Sequence, residues 1–422
     1  MIGRILILTL VALLAWTGVF VGGTIEGWWR TPMAPAGDSR AFLTAAIAEI
    51  DAKNRGNAAF VLLQRGAIVG DHFVSVGKPV DRDTRFQVAS LSKWITAWGV
   101  MTLVEAGKLD LDAPVSKYLT RWKLPPSKFD NNKVTVRRLL SHTAGLTDGL
   151  GYAGFNPGET IQPLEASLSK AADASPGHDG IVRVGIEPGT FEYSGGGYTL
   201  LQLLIEEVSG QPFNDYMKAN VLGPLGMTGS TFILDEPAAN VADFYDVDGK
   251  QATHYRFTAL AAASLYTTAA DLTRFLQAHM PGQGGEPPGR GILKPQTLKE
   301  MRRPHAAQFG ADIWGLGTIL YAPNNAGDYI IGHDGNNEPA INTAARLDPA
   351  TGDGIVILET GTRLLATGVA GEWIFWRTGN VDLLTLAMEA KSIFTTLVAG
   401  WIAIILAAIV AGVWLRLARA RR

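Results

Sequence analysis

Cysteine is absent from the chain. Disulfides, thiolate zinc sites, iron–sulfur clusters, a cysteine nucleophile and lipid attachment through cysteine are therefore excluded. Charge is scarce as well: Asp, Glu, Lys and Arg make up 18% of the 422 residues, and the formal net charge is -2. No global field favours a polyanion and no basic patch carries interleaved aromatics, so no nucleic-acid partner is expected. No histidines stand at His-Glu-x-x-His spacing, so no metal or other cofactor is expected. A Gly-x-Ser-x-Gly elbow is missing, which removes the α/β-hydrolase alternative, and no P-loop is present.

Apolar residues, at 47%, lie in the ordinary range for globular domains. The shortage of charge is explained in large part by two uncharged stretches at the ends. From Ile5 to Ile25 no charged residue occurs, a run long enough to cross a hydrocarbon layer as a helix of roughly 20 residues. Trp28, Trp29 and Arg30 follow it like an interfacial belt. The competing reading is a cleaved signal peptide with Ala34-Pro35-Ala36 as its small-x-small site, although that site lies about ten residues beyond the apolar run. The second stretch, Ser392 to Leu415, precedes Arg416, Arg419, Arg421 and Arg422. Arginine excess marks the cytoplasmic side, and Arg4 puts the N-terminus on the same side. The expected organisation is an anchor or signal peptide at 1–25, linkers at 26–40 and 379–391, a globular domain at 41–378, a span at 392–415 and a basic tail at 416–422. The domain then lies on the periplasmic or outer face of the cell (inner) membrane. Both termini are cytoplasmic if the first segment is not cleaved. Small residues in the second span, such as Gly400 and Gly412, leave the oligomeric state open.

Between the ends, strand-like runs occur early (Ala58–Gln64, Ile68–Val76) and late (Trp314–Tyr321, Tyr329–His333, Asn342–Leu347, Gly354–Leu358). Helical patterns lie between them: Ser90–Ala106, Leu200–Val208 and Ala269–Met280. The expected fold class is α+β, with one central antiparallel sheet built from both chain halves. Helices flank the sheet, a helical region accompanies it, and one membrane helix stands at each end. Residues 148–190 read as a long irregular excursion of the kind that borders binding sites.

Three segments carry chemistry. In Phe86-Gln-Val-Ala-Ser90-Leu-Ser-Lys93, a strand-like approach gives way to a helix. Lys93, one turn after Ser90, faces the same side. A serine hydroxyl needs an adjacent base, and a lysine serves when burial lowers its pKa; an N-capping serine beside a solvated lysine is the plainer alternative. In Phe191-Glu-Tyr193-Ser-Gly195-Gly-Gly-Tyr198, a glycine turn precedes a helix. Tyr193 there is either a phenolate made less costly by cationic Lys93, acting as base and then acid, or an aromatic core anchor. In Ile331-Gly-His333-Asp334-Gly335-Asn336, a polar strand edge offers backbone N–H groups to an oxyanion, or simply forms a turn.

Taken in this order, the three segments resemble the serine β-lactamase and penicillin-binding protein superfamily, especially the branch of class C β-lactamases, D-alanyl-D-alanine carboxypeptidases and related esterases. The likeness covers roughly residues 41–378. It extends to Leu139-Leu-Ser-His-Thr-Ala-Gly145-Leu, Leu265-Tyr-Thr-Thr-Ala-Ala-Asp271-Leu and Trp314-Gly-Leu-Gly317. The resemblance implies a β-lactamase-like, transpeptidase-like fold. It makes Ser90 the acylated nucleophile, Lys93 its proton partner and Tyr193 the proton relay to the leaving group. It forms the oxyanion hole from the backbone N–H groups of Ser90 and Asn336, and the substrate-binding strand from His333, Asp334 and Gly335. Gly195 stands where the lactamases carry a substrate-binding asparagine, and His333 stands where they carry lysine. Both departures favour an esterase, amidase or peptidase over an efficient β-lactamase. The expected function is thus a membrane-anchored serine hydrolase acting through a Ser90 acyl-enzyme on small-molecule or peptide substrates (esters, amides or peptides), with the cell wall as a candidate source. An inactive scaffold of the same fold that binds envelope components is the alternative.

Overall fold

The computed structural model describes residues 2–149, 151–234 and 240–421. Met1 and Arg422, at the tips of the expected anchor and tail, and Leu150, in the expected excursion, lie outside these. The first half of the chain provides α1 (Ile2–Ile25), α2 (Ser39–Lys53), β1 (Ala58–Gln64), β2 (Ala67–Val74), α3 (Ser92–Glu105) and α4 (Gly195–Ser209). The second half adds α5 (Ala269–Gln277), the strands β3 (Ala306–Gln308), β4 (Ala311–Trp314), β5 (Ile319–Pro323), β6 (Tyr329–Asn337), β7 (Ile341–Asp348) and β8 (Asp353–Thr360), then α6 (Leu365–Thr378) and α7 (Leu383–Ala420).

The strands form one antiparallel sheet in the order β2-β1-β8-β7-β6-β5-β4-β3, with β1 from the start of the chain paired to β8 near its end. This is the antiparallel sheet built from both chain halves that the early and late strand patterns imply. Its central strands are buried on both faces, so they read as continuous apolar runs rather than alternating ones. Successive side chains still point to opposite faces. Phe60, Leu62, Ile355 and Ile357 pack with Phe42 of α2 and Trp373 of α6. Val61, Leu63, Val356 and Leu358 pack with Trp94 and Trp98 of α3 and Phe275 of α5. Each such side chain stabilises the fold by roughly 1.5–3 kcal/mol, and together they fix α3 against the sheet.

Two expectations are corrected. Trp314–Tyr321 is not one strand but the turn of a hairpin: β4 ends at Trp314, β5 starts at Ile319, and Gly317 between them has φ +83°. A Cβ at Gly317 would lie 2.2 Å from Cβ of Ala97 in α3, so only glycine lets this hairpin approach the helix. The expected linker 379–391 is helical from Leu383, because Asp382 caps α7 by accepting from Leu384 N (2.9 Å) and Thr385 N (3.1 Å). The helix is held to the domain by Arg30, which donates to Glu389 (2.9 Å) and to Glu372 of α6 (2.8 Å).

Helices α1 and α7 are each long and apolar enough to cross a membrane. They pack antiparallel, with Ile5 beside Gly412 and Trp16 beside Gly400. Trp16 Nε1 donates to Leu397 O (3.0 Å), and Trp401 Nε1 donates to Thr17 Oγ1 (2.9 Å).

Candidate active site

The chain reaches Ser90 through Phe86–Gln87, which pairs with Tyr266–Thr267. A single 3₁₀ turn, Ala89–Leu91, then leads into α3. Ser90 therefore stands two residues before the helix instead of opening it. Ala89 has φ +46°, a left-handed conformation that a side chain tolerates only when its surroundings impose it. Ser92 supplies that constraint, donating to Ala89 O (2.6 Å) and accepting from Leu265 N (3.0 Å). Ser90 remains half-buried on a cleft of about 130 Å³ walled by Lys93, Tyr152, Ala262 and Asn336, among others.

Lys93 is 1% exposed. Its Nζ donates to Ser90 Oγ (3.0 Å) and to Ala262 O (2.8 Å). Burial pushes its pKa down to about 7, against the opposing pull of the Asp148 carboxylate. A lysine in this state is partly neutral near pH 7 and can accept the serine proton. Tyr193 faces the same pair: Nζ of Lys93 lies 5.0 Å from its ring centroid, and its phenol bonds to Ser90. Burial holds this phenol above its ordinary pKa, with the Ser90 bond opposing. Here the expectation of a phenolate favoured by Lys93 is corrected. Desolvation of the anion outweighs any help from the amine, and the group able to take a proton is Lys93. The Tyr193 ring stacks on His142 (4.2 Å between centroids) and meets Trp314 edge-on (5.6 Å).

The third segment divides by the alternation of its strand. β5 pairs with β6 only as far as Gly332, so from His333 onward that edge is open and lies against the Ser90 turn. Gly335 passes so close to this turn that a Cβ there would sit 2.0 Å from Val88 O. Asp334 points the other way and is not a substrate ligand. It accepts from fully buried Arg346 (2.7 Å) and from Tyr321 Oη (2.6 Å), a structural pairing behind the cleft. His333, expected as a substrate contact, is 1% exposed and edge-on to Trp314. Burial first, then nearby Lys93, lowers its pKa to about 3, so it stands neutral on the Lys93 side of the strand, and a neutral imidazole is a weaker partner for a carboxylate than a lysine. Asn336 lies at the cleft mouth, its side-chain amide donating to Arg363 O (2.5 Å). Gly195 is buried as the first residue of α4. A Cβ there would lie 3.0 Å from Cα of Gly151, so the excursion fills the space an amide side chain would need.

Sequence reasoning missed Asp148 and the Ala262 carbonyl, and placed His142 only within the Leu139–Leu146 landmark. Asp148 is buried, accepts from Ser194 Oγ (2.5 Å) and Gly196 N (2.6 Å), and stabilises the charge on Lys93. Its signal was an acid two residues after the Leu139–Leu146 landmark. His142 accepts from Ser194 N at Nδ1 (3.1 Å) and carries the Tyr193 stack. The Ala262 carbonyl is a backbone atom, and no residue type announces it.

A serine hydrogen-bonded to a buried lysine, set between an antiparallel sheet and a helical region, is the arrangement of the β-lactamase and transpeptidase class of proteins. The Beta-lactamase family model matches residues 43–371, and the chain belongs to that family. It is 29% identical over 208 residues to the putative penicillin-binding protein PbpX of Bacillus subtilis, spanning 47% of each chain, so it covers about half of that relative. It is 28% identical over 313 residues to esterase EstB of Burkholderia gladioli, covering 63% of this chain and 74% of that one. The fold resembles the octameric penicillin-binding protein homologue of Pyrococcus abyssi, with TM-score 0.64 and 24% identity over 79% of this chain and 76% of that one.

Proposed function

We propose that this chain is a membrane-anchored serine hydrolase that cleaves esters, amides or peptides through an acyl-enzyme on Ser90. The observation that carries this reading is the 3.0 Å hydrogen bond from Lys93 to Ser90 Oγ, made by a lysine that burial brings near neutrality. Lys93 takes the Ser90 proton as Oγ attacks the carbonyl carbon. Backbone N–H groups of Ser90 and Asn336 receive the oxyanion, at the open edge of β6. The protonated Tyr193 phenol gives its proton to the leaving oxygen or nitrogen as the bond to carbon breaks, and Lys93 returns a proton to the phenol. Water then cleaves the Ser90 ester by the reverse proton path, releasing the acid.

A neutral buried His333 and an amide-free Gly195 position give little purchase on the carboxylate and acylamide of a penicillin. This favours ester, amide or peptide turnover over efficient β-lactam hydrolysis. The test is intact mass of the full chain in detergent after exposure to a fluorophosphonate and, separately, to a penicillin, with Ser90→Ala in parallel. A fluorophosphonate adduct on the wild type alone is expected. Equal labelling of Ser90→Ala, or none of either protein, would sink the assignment.

A further inference from the structure

The two anchors fix which end of the domain meets the bilayer. Along α7, Thr385 packs on Gly371 and Met388 on Gly368, so the helix runs back along α6 towards its beginning and leaves the domain beside Leu364. Ser392, where the uncharged stretch starts, follows Met388 by about 6 Å of helix at ~1.5 Å per residue. The cleft mouth is at this same end, because Asn336 is bonded to Arg363.

A second cavity has its rim near this end. It has a volume of about 950 Å³ and is lined mainly by apolar groups, among them Ile161, Leu164, Ile233, Phe257 and Leu260. It shares a wall with the Ser90 cleft: Leu260 and Ser264 line the cavity, while Ala262 and Ala263 between them line the cleft. Its rim reaches Lys78 and Asp243, and Asp243 O accepts from Asn57 at the foot of β1 (2.8 Å). That foot pairs with the end of β8, just before Arg363. Exposed apolar side chains gather round this end: Val76, Ile233, Val247 and Leu364 are each more than a third exposed. The hairpin carrying Val247 adjoins Arg55 through Gly249. Water-exposed apolar groups grouped beside a membrane anchor mark a membrane-contacting surface.

We infer that the domain rests with this end on the bilayer and that the cavity takes the hydrocarbon chain of a membrane-resident acyl ester or amide. The inference rests on the proposed hydrolase reading and names its substrate class. The scissile carbonyl lies at Ser90 and the chain in the apolar cavity. The Ser90 Oγ–acyl bond forms as the acyl C–O or C–N bond breaks, the headgroup leaves with a proton, and water releases the fatty acid.

The test uses the full chain in phosphatidylcholine vesicles with p-nitrophenyl acetate and p-nitrophenyl dodecanoate, alongside Ser90→Ala and Ile233→Glu. The expected result is a Ser90-dependent kcat/KM at least tenfold higher for dodecanoate, and a loss of at least tenfold in the dodecanoate-to-acetate ratio in Ile233→Glu. The ratio in the variant separates cavity binding from simple partitioning of the long ester into the bilayer. Ser90-dependent acetate turnover with no chain-length preference, or an unchanged ratio in Ile233→Glu, overturns the inference and leaves the hydrolase intact. Absence of Ser90-dependent turnover of either ester overturns both.

Discussion

Lys93 gives up its proton near neutrality because the protein withdraws it from water, and that sets the pH range of the site. If neutral Lys93 is the base, kcat/KM for an uncharged ester rises with pH and levels off, with an apparent pKa of about 7. If Tyr193 acts as a phenol, as proposed, burial holds its pKa above the usual ~10, so no descending limb is expected below about pH 10. Asp148 opposes the downward shift of Lys93. Asp148→Asn removes that negative charge, so the rising limb moves to lower pH while the amide retains part of the hydrogen bonding. A pH–rate profile of both proteins decides the matter: a flat wild-type profile, or a limb that stays put in the variant, would assign the base elsewhere. Ser90→Ala is expected to lower ester turnover by at least about 10³-fold with the fold intact, read by initial rates and circular dichroism.

Among the elements, the decisive connection is a buried ion cluster. Arg346 on β7 donates to Asp334 on β6 (2.7 Å) and to Thr367 O on α6 (3.3 Å), and lies 3.6 Å from Asp382, the cap of α7. Arg346→Ala strands two buried carboxylates, which costs about 3–5 kcal/mol. Chemical denaturation of the two proteins in detergent measures it, and a loss under 1 kcal/mol would mean the cluster is dispensable. This cluster also shows what the sequence could and could not reveal. The contact between Ser90 and Lys93 was legible because they stand three residues apart where a strand-like approach gives way to a helix, and the 3₁₀ turn that carries Ser90 keeps the two side chains on one side. The central strands were legible because Ala58–Gln64 and Gly354–Leu358 are too apolar for anything but a core. Asp334 was misjudged because a motif names residues without saying which strand face each takes, and here alternation turns it from the cleft towards Arg346. The hairpin at Gly317 was hidden because apolar residues continue through the turn. Asp148 and the Ala262 carbonyl come from segments far from Lys93 in the chain, and only tertiary packing brings them to it.

For the whole molecule, α1 and α7 are each long and apolar enough to cross a membrane, and with arginines following the second we propose that both chain ends lie on one side of it and the domain on the other. Protease added to intact spheroplasts is expected to digest the domain while an epitope fused after the C-terminus survives. Loss of the epitope without permeabilisation would reverse the orientation.

The pairing of β1 with β8 has a consequence for how the protein is made. About 290 residues separate Gln64 from Asp353, and at ~5–20 residues per second their synthesis takes about 15–60 s. Throughout that time Ala58–Gln64, an apolar strand with no charge, waits without its central partner, and an unpaired strand of this kind invites association with other chains. Slower translation of the stretch between β1 and β8 lengthens that exposure in proportion, whatever the stability of the finished sheet.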